Sequence, residues 1–208
     1  MNLQKTIIFD LSEVIIKGLL GIECNLESIL NMNKTEILSS FGGDNLRTFF
    51  IGEISEEQYF QRIIQSKQLN IGIKDLQNIV RQEFSQEMPG MSALVTDLSK
   101  SNTLILYSDH AIEWVSYILE RHPFLSAFSK MVFSYNQKCL KSDNGAFTKL
   151  LNELNLKNSE VIFIDDTAVN VKNAKESGID AIQFKGRFDL EKTLKERFEK
   201  QECTVTIE

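Results

Sequence analysis

The amino-acid sequence predicts an α/β fold: a Rossmann-like, three-layer core around a central parallel sheet, with a helical cap inserted into it. Five short apolar runs recur along the chain, and helical patterns lie between them. Nearly continuous apolar runs are typical of strands that are covered on both faces, as in a parallel sheet. Residues 15–88, in contrast, show helical patterns only. We therefore predict a core of residues 1–14 and 89–208 and a helical cap of residues 15–88.

The core elements alternate between strand and helix, which favours right-handed crossovers between parallel strands. Apolar residues at helical spacing predict helices over MSALVTDL (91–98), AIEWVSYILE (111–120) and AVNVKNAKESG (168–178). In the second of these, Ile112, Val115 and Leu119 form the predicted apolar face, and Gly178 ends the third as a C-terminal cap. The predicted strands are TIIF (6–9), TLILYS (103–108), MVFS (131–134), EVIFI (160–164) and DAIQF (180–184).

The inserted segment and the end of the chain have their own signals. Ser55 and Gln58 have the spacing of a capping box at the start of a cap helix. The tripeptide MPG (88–90) marks the return to the core, because Pro and Gly interrupt regular elements. After the last strand we predict a surface helix over DLEKTLKERFEK (189–200) and a terminal edge strand over CTVTIE (203–208).

Composition and charge exclude several classes of protein. The 208 residues are 42% hydrophobic and 25% charged, as in ordinary globular domains, and the formal net charge is −6. Because an acidic chain has no net attraction to nucleic acids or anionic membranes, we expect no nucleic-acid partner and no membrane. No apolar stretch has the length of a membrane span, and the first strand begins too early for a signal peptide. We expect a cytoplasmic protein, and the sequence gives no indication of its oligomeric state.

The cysteines and histidines do not predict a zinc site. Cys24, Cys139 and Cys203 lack ligand spacing, and we expect them to be reduced thiols. His110 and His122 belong to no pair of histidines at ligand spacing.

Charged and hydroxyl side chains follow four of the five predicted strands. The carboxyl ends of parallel strands meet at one edge of the sheet, where ligands bind in open α/β folds. Taken singly, each group has a structural explanation as a turn former, a helix cap or a solvated lysine. Taken together, the acids repel one another unless a cation relieves them, hard oxygen ligands favour Mg²⁺, and a hydroxyl and an ammonium beside it suit a phosphate dianion. The residues are Asp10, Ser108, Asp109, Lys141, Asp165 and Asp166.

Four segments, in order, resemble the motifs of the haloacid dehalogenase superfamily. IIFDLSEVI resembles the first motif, LILYSD the second, KCLKSDNGAF the third and VIFIDDTAVNVKNAKESGI the fourth. The resemblance covers residues 1–14 and about 89–186, and the insertion resembles the small helical cap that follows the first motif in such proteins. The segment GEISEEQYFQ is similar to the caps of sugar-phosphatase-like and epoxide-hydrolase-N-terminal-like members.

The resemblance implies a Mg²⁺-dependent hydrolase that removes phosphate from a small phosphorylated metabolite through an aspartyl-phosphate. It implies that Asp10 is the nucleophile. The phosphoryl group would be held by Ser108, the backbone amide of Asp109 and Lys141. Lys138 lies three residues before this lysine, but the spacing to GAFTKLL favours Lys141.

The resemblance also implies the metal ligands and the role of the cap. Mg²⁺ would be bound by Asp10, the backbone carbonyl of Ser12 and Asp166, with Asp165 in support. Asn170 falls where the fourth motif often has a further polar group. The cap would exclude water and select the leaving group.

The first motif departs from the family at Ser12. Most phosphatases of the family have a second Asp two residues after the nucleophile, which protonates the leaving group and then activates water. A hydroxyl does neither well near neutral pH, and such acid–base help contributes a factor of about 10² to 10⁴ in rate. Ser12 therefore occupies a catalytic position with an altered role, and Glu13 is an adjacent candidate for the missing acid.

Four interpretations stay open at this point. The one we favour is a phosphatase with a slow step or an acid from elsewhere. A dehalogenase also lacks the second Asp, but dehalogenases work without metal and lack the acid pair that Asp165 and Asp166 form here. A phosphotransfer enzyme with a long-lived aspartyl-phosphate is the third, since the ion-pumping ATPases of the superfamily carry a hydroxyl at this position. The fourth is a non-catalytic protein that binds phosphate or a partner.

Overall fold

A computed structural model describes residues 5–205 of the chain, and the side chains up to residue 199. Its centre is a sheet of five parallel strands in the order β3-β2-β1-β4-β5. The α/β fold with a central parallel sheet is therefore confirmed. The strands are β1 (Thr6–Phe9), β2 (Thr103–Ser108), β3 (Lys130–Phe133), β4 (Val161–Asp165) and β5 (Asp180–Gln183).

Helices α1 to α6 lie between β1 and β2, and helices α7 to α11 alternate with or follow the remaining strands. We call residues 15–88 the cap segment, and its bounds remain a prediction. The helices are α1 (Ile22–Leu30), α2 (Lys34–Phe41), α3 (Gly43–Phe50), α4 (Glu56–Lys67), α5 (Ile73–Phe84), α6 (Met91–Leu98), α7 (Ile112–Arg121), α8 (Ser134–Gln137), α9 (Ala146–Leu154), α10 (Ala168–Glu176) and α11 (Arg187–Val205).

The sheet is covered on both faces. Successive side chains of a strand point to opposite faces, and in β1 the side chains of Ile7 and Phe9 belong to one buried cluster while Ile8 belongs to another. The first cluster contains residues of α6, α7, α11 and the cap segment, and the second contains residues of α9 and α10. Burial on both sides explains why β1 is a continuous apolar run.

The cap segment is attached to the core by two stretches that lie side by side. Lys17 N donates to the Gln86 carbonyl and Met88 N donates to the Ile15 carbonyl, both at 2.9 Å. These bonds lie a few residues beyond the end of β1. The cap segment therefore starts next to the carboxyl edge of the sheet.

Aromatic packing fixes the cap segment to the core. The ring of Trp114 in α7 has its centroid 4.9 Å from that of Phe49, 5.0 Å from that of Phe84 and 5.8 Å from that of Tyr59. All of these pairs are edge-to-face, a favourable arrangement for buried rings. Trp114 Nε1 also donates to the buried carboxylate of Glu56 at 2.7 Å.

Several local predictions are confirmed. Gln58 N donates to Ser55 Oγ at 3.2 Å and Ser55 N donates to Gln58 Oε1 at 2.9 Å, which forms the predicted capping box at the start of α4. Gly178 follows α10 with a φ of +79°, the left-handed conformation that suits a glycine at a helix end. The chain leaves α10 there and enters β5.

The predicted apolar face of α7 is confirmed at Val115 and wrong at Ile112 and Leu119. Ile112 and Leu119 are 54% and 38% exposed, whereas Trp114, Val115 and Ile118 are buried. The helix packs against the cap segment as well as the sheet, and the cap aromatics turn the face that carries Trp114 inward. The spacing of apolar residues within α7 gives no information about its contact with the cap segment.

The predicted terminal edge strand does not form within the described residues. Helix α11 continues through residues 203–205, and residues 206–208 of the predicted strand lie outside the described part of the chain. Within the described part, no helix combines the length and the apolar character that crossing a bilayer requires.

Candidate active site

Asp10 occupies the first position beyond β1. Its backbone N–H donates to the Ile164 carbonyl of β4 at 2.8 Å, so sheet pairing extends to this residue. Its Oδ1 accepts hydrogen bonds from Leu11 N at 2.7 Å and Ser108 Oγ at 2.9 Å, and Lys141 Nζ lies 2.7 Å from the same atom. Among residues 5–199, none donates a hydrogen bond to Oδ2. The carboxylate is held through one oxygen and leaves the other available.

Lys141 lies between two acids. Its side chain is 2% exposed, and Nζ is 2.7 Å from Asp10 Oδ1 and 2.6 Å from Asp165 Oδ2. Burial by itself lowers the pKa of Lys141, but the carboxylates of Asp10, Asp165 and Asp109 outweigh burial and raise the pKa above its ordinary value. The ammonium is therefore charged at neutral pH and offsets part of the negative charge around it.

Asp165 and Asp166 lie at the end of β4 in different surroundings. Asp165 is fully buried and accepts hydrogen bonds from Thr167 N at 2.8 Å and from Asn170 Nδ2 at 3.1 and 3.2 Å. Asp166 lines the open cleft, and burial together with the adjacent Asp165 raises the pKa of its carboxyl. One oxygen each from Asp10, Asp165 and Asp166 lie within 4.8 Å of one another. This set of hard oxygen donors fits Mg²⁺.

Asp109 follows Ser108 and turns its carboxylate toward the loop that carries Lys141. The Lys141 N–H lies 3.1 and 3.2 Å from the two carboxylate oxygens. Burial raises the pKa of Asp109 to about 7, an effect that Lys141 opposes and Asp10 strengthens. The side chain lines the cleft and is partly protonated near neutral pH.

Ser12 is paired with a residue that sequence reasoning missed. Its Oγ lies 2.7 Å from Nε2 of His110, whose side chain is only 1% exposed. Burial, with a smaller contribution from Lys141, lowers the pKa of His110 to about 3, so the imidazole is neutral. Its Nδ1 is buried without a hydrogen-bond partner among the described side chains. A hydroxyl and a neutral imidazole therefore occupy the position of the missing Asp.

The sequence does contain a signal for His110. The residue directly follows Ser108 and Asp109, at the end of the strand that pairs with β1. A polar side chain within two residues of such a strand end reaches the same edge as Asp10. We considered His110 only as a metal ligand, and its spacing from His122 gave no indication of a role.

The two alternative candidates have other contacts. Glu13 adopts a left-handed φ of +60°, and its Oε1 accepts hydrogen bonds from Gly18 N at 2.9 Å and Leu20 N at 3.2 Å. Its carboxylate thus binds the loop at the start of the cap segment. Lys138 Nζ donates to the carbonyl of Ile51, in the cap segment, at 3.0 Å. The lysine that lies among the acids is therefore Lys141, as predicted from the spacing to GAFTKLL.

The site opens into a cleft of about 610 Å³ that the sheet edge and the cap segment line together. The acids, Ser108 and Lys141 lie at one end. Arg47 of α3 also lines the cleft, but its guanidinium is engaged by Asp143 through two hydrogen bonds of 2.7 and 2.8 Å. The rest of the lining is mainly apolar: Leu19, Leu20, Leu46, Phe50, Phe84, Trp114, Leu140 and Val169.

Comparisons with known proteins agree with the fold and the motifs. A family model described as haloacid dehalogenase-like hydrolase matches residues 7–184. A HAD family enzyme from Bacteroides thetaiotaomicron, solved in complex with magnesium and inorganic phosphate, is similar with a TM-score of 0.71 and 19% identity, over 88% of this chain and 95% of that chain. A predicted HAD-like family hydrolase from Porphyromonas gingivalis is similar with a TM-score of 0.67 and 19% identity, over 87% and 91% of the two chains.

A dehalogenase is among the similar structures as well. The L-2-haloacid dehalogenase from Xanthobacter autotrophicus, with chloropropionic acid covalently bound, has a TM-score of 0.65 and 12% identity, over 86% of this chain and 77% of that chain. No curated protein sequence matches the chain. At these identities the structural likeness shows a shared fold, while the family model covers residues 7–184, the span in which the four motif-like segments lie. The chain therefore belongs to the haloacid dehalogenase-like hydrolases.

Proposed function

We propose that this hydrolase is a Mg²⁺-dependent phosphatase that acts on a small phosphomonoester through an aspartyl-phosphate on Asp10. The observation that supports the proposal most is the meeting of a buried ammonium, a hydroxyl and three carboxylates at one end of the cleft. A phosphate dianion needs cationic and hydrogen-bonding partners, and such partners are gathered around one available carboxylate oxygen. Magnesium and phosphate bound to the similar enzyme from Bacteroides thetaiotaomicron are consistent with this chemistry.

In the proposed reaction, Asp10 attacks phosphorus through Oδ2, the oxygen that no described side chain binds. Its other oxygen stays bound to Leu11 N and Ser108 Oγ, so the carboxylate keeps its orientation. The bond from phosphorus to the leaving oxygen breaks as the bond to Asp10 forms. Ser108, the N–H of Asp109 and Lys141 bind the phosphoryl oxygens. Water then cleaves the aspartyl-phosphate and releases phosphate.

The metal fits the carboxylates of the same end. Asp10, Asp166 and the backbone carbonyl of Ser12 would hold Mg²⁺, with Asp165 in support. When bound, the ion supplies positive charge that offsets the phosphoryl group. Asp165 has its two oxygens bound by Lys141, Thr167 N and Asn170, so its part is to orient the others.

A phosphate-binding protein without turnover is the second candidate, and Ser12 favours it. The Ser12–His110 pair contains no carboxyl, the group with which the usual second Asp protonates the leaving oxygen and then activates water. A dehalogenase is less well supported, because a displacement without metal leaves the acid pair of β4 without a role.

The test is phosphate release from a panel of small phosphate esters, with Mg²⁺ and with EDTA, for the protein and for Asp10→Asn. We expect turnover with Mg²⁺. Activity should fall at least about 10³-fold with EDTA, because the positive charge that offsets the phosphoryl group is removed, and in the variant, because no nucleophile remains. Thermal denaturation of Asp10→Asn checks that the variant is folded.

Two results would overturn the proposal. Absence of phosphate release from every ester, with Mg²⁺ binding intact by calorimetry, would favour the binding protein. Chloride release from 2-chloropropionate in EDTA would establish a dehalogenase.

A further inference from the structure

We propose that the substrate is an aryl phosphate: a monoester whose leaving group is apolar and departs as a phenolate without being protonated by the enzyme. This inference rests on the proposed phosphatase function and deepens it. Two observations support it independently. We call the end of the cleft that carries Asp10, Ser108 and Lys141 the phosphate end. Among the described residues that line the rest of the cleft, the acid Glu13 is bound by backbone N–H groups, and the walls are mainly apolar.

No carboxyl is placed to protonate the leaving group in the way that the usual second Asp does. Ser12 occupies that position, and its hydroxyl is paired at 2.7 Å with the buried imidazole of His110. A hydroxyl donates a hydrogen bond to a leaving oxygen but does not give up its proton near neutral pH. Glu13, the adjacent acid, also lines the cleft, but its Oε1 accepts hydrogen bonds from two backbone N–H groups of the loop from Gly18 to Leu20, which hold the carboxylate at that loop.

Asp109 is the remaining carboxyl that could serve as the acid. Both of its oxygens lie against the backbone N–H of Lys141, at 3.1 and 3.2 Å. This contact directs the carboxylate toward the lysine loop, whereas Ser12 lies on the loop after β1. We therefore do not assign Asp109 as the acid, and the experiment includes a variant that tests it.

The walls of the cleft match an apolar leaving group. Leu19, Leu46 and Phe50 of the cap segment line the same cleft, as does Val169 at the start of α10, which is half exposed. Besides Lys141, Arg47 is the cationic residue of the described lining, and Asp143 binds both of its terminal nitrogens. A second phosphate or a carboxylate on the substrate thus lacks a free cation among the described lining residues.

The chemistry balances without an enzymatic acid. The bond from Asp10 to phosphorus forms, the bond from phosphorus to the aryl oxygen breaks, and the electron pair leaves on the phenolate. The phenolate takes its proton from water after departure. Water then adds to phosphorus, the bond to Asp10 breaks, and the water proton passes to phosphate and solvent. Because the transition state of phosphoryl transfer is loose, the leaving oxygen carries much of the charge, and a stable phenolate lowers the barrier.

The experiment measures kcat/KM with Mg²⁺ for a series of substituted phenyl phosphates whose phenols differ in pKa. We expect kcat/KM to fall by about threefold or more per unit of phenol pKa, because no acid compensates for a poorer leaving group. Phenyl phosphate should exceed cyclohexyl phosphate, which has the same size and a poorer leaving group. Cyclohexyl phosphate should in turn exceed glycerol phosphate, which is polar.

Three variants locate the effect. Ser12→Asp should flatten the dependence on phenol pKa, because a carboxyl then stands at the acid position. Leu46→Gln should lower kcat/KM for phenyl phosphate more than for acetyl phosphate, whose leaving group is too small to fill the walls. Asp109→Asn should leave the slope unchanged, and a steeper slope would identify Asp109 as the acid and overturn the inference.

The outcomes separate the two proposals. Turnover with a flat dependence on phenol pKa, or with glycerol phosphate as the best ester, would overturn the aryl phosphate and leave the phosphatase standing. No turnover of acetyl phosphate or of any ester, activated aryl esters included, would overturn the phosphatase itself and the aryl phosphate with it.

Discussion

The two ends of the active-site cleft are built in different ways. At the phosphate end, charged groups are buried and held by short contacts: Lys141 is 2% exposed and lies within 2.7 Å of both Asp10 and Asp165. At the leaving-group end, the polar groups are neutral or already paired, as in Ser12 with His110. The phosphate end is carried by strand ends of the core, and the other end is largely lined by the cap segment. In the proposed reaction, the sheet would thus supply the groups that act on phosphorus, and the cap segment would select the leaving group.

Breaking the phosphate end should have the largest effect. In Lys141→Met, the buried carboxylates of Asp10 and Asp165 lose their ammonium, and removing one partner of a buried ion pair costs about 3–5 kcal/mol. We expect the free energy of unfolding in EDTA to fall by several kcal/mol in urea denaturation. Phosphate release with Mg²⁺ should fall by at least about 10³-fold, because a cation that binds the phosphoryl oxygens is lost.

The matched control is Lys172→Met on α10. Lys172 is 71% exposed and pairs with Glu176, and exposed pairs contribute about 0.5 kcal/mol or less. If Lys141→Met unfolds at the same urea concentration as this control, the buried ammonium does not stabilise the site.

Replacing the neutral Ser12 beside His110 with a carboxyl should make the leaving-group end more like the charged phosphate end. Ser12→Asp places a carboxyl at the leaving-group end, and we expect kcat for an alkyl phosphate to rise by about 10²-fold, since acid–base help is of that order. Ser12→Ala, which removes only the hydroxyl paired with His110, should change kcat by less than about tenfold. A variant with the carboxyl that folds normally by circular dichroism and gains nothing would show that this position does not face the leaving oxygen.

The same contrast explains which parts of the molecule could be predicted from sequence. Asp10, Ser108 and the acids of β4 each follow an apolar run directly, so the parallel fold alone brings them to one edge. The contact between Ser12 and His110 joins residues 98 positions apart, and nothing local in either segment indicates it. This contact depends on the conformation of the loops that follow β1 and β2 at the carboxyl edge of the sheet.

The errors have a similar origin. The apolar spacing within α7 indicated Ile112 and Leu119, but the cap aromatics select the face of Trp114 instead. The terminal segment has residues that suit a strand, yet the described part of it extends α11. In both cases a neighbouring element, rather than the segment itself, decides the outcome.

The pH dependence of stability should report on Asp109. Its pKa is raised from 3.8 to about 7, so the folded protein holds this proton more tightly than the unfolded chain. The contribution of Asp109 is therefore most favourable below pH 4 and is lost as the pH rises from about 4 to 7, by up to about 4 kcal/mol. Asparagine cannot ionise and can still accept the Lys141 N–H.

Urea denaturation of the protein and of Asp109→Asn, in EDTA at several pH values from 4 to 8, checks this expectation. The advantage of the variant should grow as the pH rises. A difference between the two proteins that stays constant over the whole range would mean that the carboxyl titrates normally in the folded state.

Releasing Arg47 from Asp143 should have the smallest effect on stability. It should change which substrates bind at the leaving-group end. Asp143 holds the guanidinium in two hydrogen bonds, and both side chains are partly exposed, so Asp143→Asn should cost about 1 kcal/mol or less. The Arg47 guanidinium, once released from Asp143, can bind a second phosphate on the substrate. We therefore expect the KM of a substrate with two phosphates to fall several-fold, while the KM of phenyl phosphate stays the same. Arg47→Gln breaks the same pair without freeing a cation, so it should match the stability loss and show no gain. The attraction between Arg47 and a second phosphate is exposed to solvent, so the lower KM should be lost at high salt. A lower KM that persists at 1 M salt would indicate a rearrangement of the cleft lining rather than a charge effect.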